Sequence, residues 1–171
     1  RVLKNFGFKG TLRYIGSEVT SPEALDAIKR RVDNFALSLT TEVFTRRREL
    51  LKPHKAKLSI EDTKLVLDEV KKRDMKASIL YILGLDPLKV VLKEFQYLAP
   101  HMTEFPTVNL MQNYVPGHEA LRDPSARDIE YFLKARKGIE RIFLPFNLKP
   151  HLWENYRPLW YTSFGDEALN E

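Results

Sequence analysis

Phe35-Ala36-Leu37-Ser38-Leu39-Thr40-Thr41-Glu42-Val43-Phe44 is the stretch on which the fold of this 171-residue chain turns. It is short, apolar and rich in β-favouring residues, entered from the turn-like Val32-Asp33-Asn34 and left through Thr45-Arg46-Arg47-Arg48. That pattern predicts a buried strand rather than a helix. Its one acid, Glu42, falls at the carboxyl end, where a buried carboxylate is costly unless it meets a cation or donors. Parallel α/β folds place their chemistry at that end of their strands. Glu42 therefore has two readings, an ion pair with a neighbouring arginine or a group that meets a ligand.

Three more strands are expected around it, over 11–17, 76–84 and 106–113. Met75 to Leu85 is the strongest of them and ends in Gly84-Leu85-Asp86-Pro87; the last contains Asn109 and Gln112 among apolar neighbours. Helices alternate with these strands. Ser21-Pro22-Glu23 opens one that runs to about Arg31, with Leu25, Ile28 and Val32 on one face. Arg46 to Leu51 reads as a short helix stopped by Pro53. Ser59 and Asp62 form a capping-box pattern before a helix whose Leu65, Leu67 and Val70 are expected to face inward. Asp86 is expected to cap a helix with Pro87 at its first position, burying Val91, Phe95 and Leu98. Ala126 to Phe143 carries a long amphipathic pattern that includes Ile129, Phe132 and Ile139. Buried strands alternating with helices predict an α/β fold with a parallel sheet, a partial (β/α) barrel of the TIM type with its helices outside. Four such units are half of the usual eight. Residues 1–149 form this part, and 150–171 form an aromatic tail expected to pack on the barrel.

Composition narrows the function classes. The net charge of +5 is modest and its one basic run, Arg46 to Arg48, is short, so nucleic acid is not expected as a partner. No window of eighteen apolar residues exists, which predicts no membrane span. No signal peptide is evident at Arg1-Val2-Leu3-Lys4, and a cytoplasmic protein is the default expectation. The lack of an initiator Met suggests that the chain begins mid-sequence. There is no Cys, hence no disulfide, thiolate nucleophile or cluster ligand. His54, His101, His118 and His151 have no metal-ligand spacing, so no metal site is expected and they read as surface or loop residues, with a substrate contact as the alternative for His118-Glu119 in the loop after the last strand.

The order of the strand ends carries a resemblance. Ser38 to Glu42, then Lys52-Pro53 and a helix, then Ile82-Leu83-Gly84-Leu85-Asp86, then Val108 to Gln112 with Asn113-Tyr114, are similar to the later strands of radical S-adenosylmethionine enzymes. The nearest branch is that of biotin synthase, hydrogenase maturases and deazaflavin (FO) synthase. The likeness covers about residues 11–117. It implies a barrel that holds S-adenosylmethionine on a 4Fe-4S iron–sulfur cluster, the protein binding and shielding while the cofactor does the chemistry. By position, Glu42 resembles the acid at the amino or ribose end of S-adenosylmethionine. Gly84 and Leu85 resemble the turn beside the adenine, and Asn109 and Gln112 the groups that face adenine or substrate. Lys64 stands beside the place of a cation for the methionyl carboxylate. Arg13, Ser17 and Tyr114 are the candidates to face a small-molecule substrate. The chain departs from the family in lacking the cluster-binding cysteines. The implied enzyme needs a missing N-terminal half or a partner chain to supply them and complete the barrel. The alternative is a cluster-less barrel-like module that binds a ligand or a partner.

Two groups keep a structural reading beside the functional one. Arg13 is either a salt bridge or a carboxylate-binding group inside the barrel. The tail from Trp153 to Tyr161 either covers a barrel end or edge, or caps the substrate.

Overall fold

A computed structural model describes residues 2–151 and 154–156. Its sheet is four-stranded, with β1 (Leu12–Gly16), β2 (Phe35–Glu42), β3 (Lys76–Leu83) and β4 (Thr107–Leu110) in spatial order β1-β2-β3-β4. All three pairings are parallel, and the sheet curls into half of a barrel. The short helix α1 (Val2–Asn5) precedes β1, and α2 (Pro22–Lys29) joins β1 to β2. Two single-turn helices, α3 (Arg47–Leu50) and α4 (Pro53–Ala56), lead from β2 into α5 (Ile60–Lys72). Next come α6 (Leu88–Leu98) after β3 and α7 (Ile129–Phe143) after β4.

Register and burial separate the two faces of the sheet. Leu37, Leu39, Ile79, Tyr81, Leu83 and Val108 are fully buried in the main core. The alternate residues form the other, concave face, where Ser38 pairs in register with Ser78 and Ile82 with Asn109. At the amino-terminal end of that face, Glu104 meets Arg13 at 2.9 Å and Lys76 at 3.2 Å. Arg13 is thus a salt-bridge residue at the end of the sheet away from the strand-end loops.

The helices follow their predicted stripes with three corrections. In α5 the buried residues are Thr63, Val66, Leu67 and Val70, a single i, i+3, i+4, i+7 stripe, so Leu65 points outward and is 53% exposed. The capping box is present in full, with Asp62 replacing the usual Glu or Gln. The last helix starts at Ile129 rather than Ala126, because Asp128 is extended and a 3₁₀ turn, Pro124–Arg127, comes first. Ile129 is accordingly exposed, and Tyr131, Phe132, Ala135 and Ile139 form the buried stripe.

The third correction concerns Asp86, which caps no helix: Pro87 is the cap residue of α6 and no side chain bonds there. Asp86 is fully buried. Its carboxylate accepts from the backbone N–H of Phe44 and of Thr45, each at 2.8 Å, from the Thr45 hydroxyl, and from the Tyr81 hydroxyl at 2.7 Å. Its carbonyl accepts from Tyr131 at 2.6 Å. Below it, Phe44 stacks on Tyr81 at 4.4 Å and both meet Phe95 edge-on.

Part of the tail reaches the sheet. Val108 N–H donates to Asn155 Oδ1 at 2.7 Å, and Tyr156 N–H donates to the Val108 carbonyl at 3.0 Å. Both residues are buried. Trp153, Trp160 and Tyr161 lie outside the described residues. Among the described residues, no helix is long and apolar enough to cross a membrane.

Replacing Asp86 with alanine leaves four donors without their acceptor, those of Phe44 and Tyr81 in a dry interior. Urea unfolding is expected to show a loss of about 3 kcal/mol or more, since bonds to a charged acceptor contribute about 1.5–3 kcal/mol each. Burial also raises the pKa of the Tyr81, Tyr131 and Tyr156 phenols above the ordinary tyrosine value. A raised folded-state pKa leaves their contribution intact below about pH 10 and removes it as pH climbs further. In an alkaline titration the phenolate absorbance of these three should appear together with the loss of circular dichroism, not before it.

Candidate functional site

The strand-end loops are stitched together before they form any cavity. After β2 the backbone turns sharply: the register slips between Thr40 and Glu42, and Glu42 takes a left-handed φ of 59°. Arg47 then fills the turn. Its guanidinium donates to the carbonyls of Thr41 at 2.6 Å, Val43, Leu58 at 3.0 Å and Lys55 at 3.1 Å. Burial lowers the Arg47 pKa, and the nearby Glu42 and Asp86 carboxylates oppose that shift. Arg46, left-handed at φ 45°, donates to the carbonyl of Leu121 at 2.6 Å and to that of Leu85 at 3.4 Å. Asp123 N–H donates to the Gly84 carbonyl at 2.8 Å. The loops after β2, β3 and β4 are therefore tied to one another.

These loops enclose a cavity of about 500 Å³ at the carboxyl ends of the strands. Leu50, Leu51, Ile82, Leu85, Met111 and Leu121 supply its apolar walls. Glu42, Asn109 and Gln112 supply polar groups, and Tyr114 and His118 close it from the loop after β4. Apolar walls with a few placed polar groups are the usual make-up of a small-molecule site. Asn109 and Gln112 both line it although they are an odd number of residues apart. Strand β4 ends at Leu110, so the alternation of faces no longer binds the residues that follow.

Glu42 has a partner, but not one of the three arginines. Lys55 pairs with its Oε1, and both side chains are mostly buried. Lys55 comes from α4, which Pro53 starts at its first turn. Pro53 both stops the preceding helix and begins the next, and it is this second role that brings Lys55 to Glu42.

The remaining candidates divide. Leu85 and Tyr114 are on the cavity wall. Gly84 lies behind it, at φ 114°, where a Cβ would come within 2.9 Å of Met111 Cβ and 3.3 Å of Phe132. Lys64 is away from the cavity on α5, 3.1 Å from Glu61 and over the Tyr97 ring. Thr63, its neighbour, is buried and donates to the Ser59 carbonyl at 2.9 Å. Ser17 follows the end of β1 and Arg13 is held by Glu104; neither lines the cavity. Among the described residues no group of His, Asp and Glu is placed to hold a metal ion.

The loop that carries Tyr114 and His118 is clasped by Glu119. Asn113 donates its amide to Glu119 Oε2, and Arg122 Nε lies 3.1 Å from each carboxylate oxygen. Those two bonds lower the Glu119 pKa below the ordinary carboxylate value.

Gly84→Ala should destabilise the chain by about 1–3 kcal/mol, because the left-handed backbone and the Met111 contact are both strained by a methyl group. A thermal melt beside the parent chain measures it, and an unchanged melting temperature would mean that the turn relaxes freely. Compared with known protein families, with curated proteins and with solved structures, the chain matches none.

Proposed function

We propose that this chain is the S-adenosylmethionine- and substrate-binding wall of a radical S-adenosylmethionine enzyme with a TIM-type barrel. The observation that carries this reading is the convergence of Glu42, Asn109 and Gln112 on one cavity at the carboxyl ends of parallel strands. A cavity of about 500 Å³ lies within the usual range of small-molecule sites. A nucleoside needs apolar walls with a few donors and acceptors, and a methionyl group needs one anion and one cation. Glu42 offers an ammonium or a ribose hydroxyl its acceptor oxygens. Lys55, which pairs with Glu42 but does not itself line the cavity, would supply the charge for the carboxylate. Asn109 and Gln112 each present a donor and an acceptor to the base. Leu85 and Ile82 form the apolar wall, and Tyr114, largely exposed, stands at the rim.

S-adenosylmethionine bound beside a reduced 4Fe-4S cluster supplies radical-initiating chemistry. This sequence has no Cys to ligate the cluster. In this reading the ligands belong to a missing N-terminal half or a partner chain, which would add its strands beside β1. The lack of Cys favours a second reading, a cluster-less barrel-like module that binds a small ligand in the same cavity.

Calorimetric titration of S-adenosylmethionine into the 171-residue chain and its Glu42→Gln variant tests the proposal. A charge-assisted bond of about 1.5–3 kcal/mol predicts roughly tenfold weaker binding or more, with the fold retained by circular dichroism. Equal affinities would reduce Glu42 to the partner of Lys55. No binding to either chain would leave only the second reading.

A further inference from the structure

His118, whose place in the sequence suits either a solvated loop residue or a substrate contact, is half-buried and lines the cavity. Its ring makes no hydrogen bond to any described residue, although its backbone N–H donates to the Val115 carbonyl at 3.3 Å. The three other histidines differ from it in place: His101 pairs with Asp68 at 2.7 Å, His54 lies 3.9 Å from Glu18, and His151 is exposed at the start of the tail. An imidazole is both donor and acceptor, and one that faces a largely apolar cavity without a protein partner is left to bond whatever fills it.

The loop holds it there. Gly117, at φ 90°, sets the 3₁₀ turn His118–Leu121. Asn113, before His118, is tied to Glu119, after it, and Arg122 and Arg46 hold Glu119 and Leu121 in turn. The loop is thus closed around His118, while the ring itself contributes no bond to the anchoring.

We infer that His118 is a ligand-binding residue of this cavity, giving a hydrogen bond to a polar heterocycle bound between it and the strand-end amides. The inference rests on the reading of the cavity as a nucleoside site and adds a contact that the strand-end pattern does not contain. The ligand class is a purine nucleoside or a nucleoside-bearing cofactor, whose ring edge carries both donors and acceptors.

S-adenosylmethionine is the probe. The chain holds only four histidines, so their ring signals can be assigned by single substitutions in a nuclear magnetic resonance titration. The His118 ring is expected to shift along the same binding curve as the Gln112 side-chain amide. His118→Leu should weaken binding about fivefold, the loss of one neutral hydrogen bond, and leave the melting temperature unchanged. A shift at Gln112 with equal affinity for the parent and His118→Leu overturns this inference and leaves the nucleoside site standing. No shift at any cavity residue overturns both. A melting temperature that falls as far as that of Asp86→Ala would make His118 a structural group instead.

Discussion

The Asp86 carboxylate is the constraint on which the rest of the molecule depends. It is a charged group buried at the end of β3, and it is tolerable there only because four donors surround it. Two of those donors are the first backbone N–H groups after the β2 turn. The acid therefore decides where the chain goes once it leaves β2. Glu42 acquires its left-handed turn, Arg47 its four carbonyls and Lys55 its place beside Glu42 within the geometry that this anchor imposes. Its carbonyl extends the same control to α7 through Tyr131. A buried acid used in this way makes the strand-end loops rigid, and rigid loops are what a pre-formed site requires.

The cavity separates its two kinds of wall by origin. Ile82, Leu85 and Asn109 come from the strands or their immediate ends, so the sheet positions them. Tyr114, His118 and Leu121 come from the loop after β4, so side-chain clasps position them. The first set is insensitive to local substitution, because moving it means moving the core. The second set is held by Arg46, Asn113 and Arg122, any of which can be changed without touching the core. The lining of the cavity can thus be altered at the second set while the fold is kept by the first.

The two central strands were legible because they are short apolar runs buried on both faces over most of their length, with turn residues around them. The β2 and β3 boundaries need only a residue or so of correction. What could not be read from local pattern was any feature decided by a long-range partner. Asp86 followed by Pro87 has the look of a helix cap, yet its donors come from Phe44 and Thr45, some forty residues earlier. Lys64 and Lys55 are equally plausible cations by composition; only the helical turn begun by Pro53 brings one of them to Glu42. Leu65 and Val66 both suit an apolar stripe, and the phase of α5 is set by Thr63, a polar residue that bonds its own helix. His118 was legible only as half of a His118-Glu119 pair in the loop after the last strand, a place that suits a solvated residue as well as a substrate contact. Gln112 and Asn109, by contrast, were legible as polar residues in an apolar strand.

The attachment of Asn155 and Tyr156 to Val108 gives the sheet a direction. Val108 has both of its outward backbone groups engaged by the chain's own tail, so β4 offers a neighbour little ladder to join. Strand β1, at the other end of the sheet, pairs among the described residues only with β2. A sheet with two open edges can polymerise, since each added copy exposes a fresh one. A sheet with a single open edge cannot: two copies meeting edge to edge use up what both have. The strap at Val108 therefore acts as a chain terminator, limiting any strand-to-strand association of this molecule to one partner and one step.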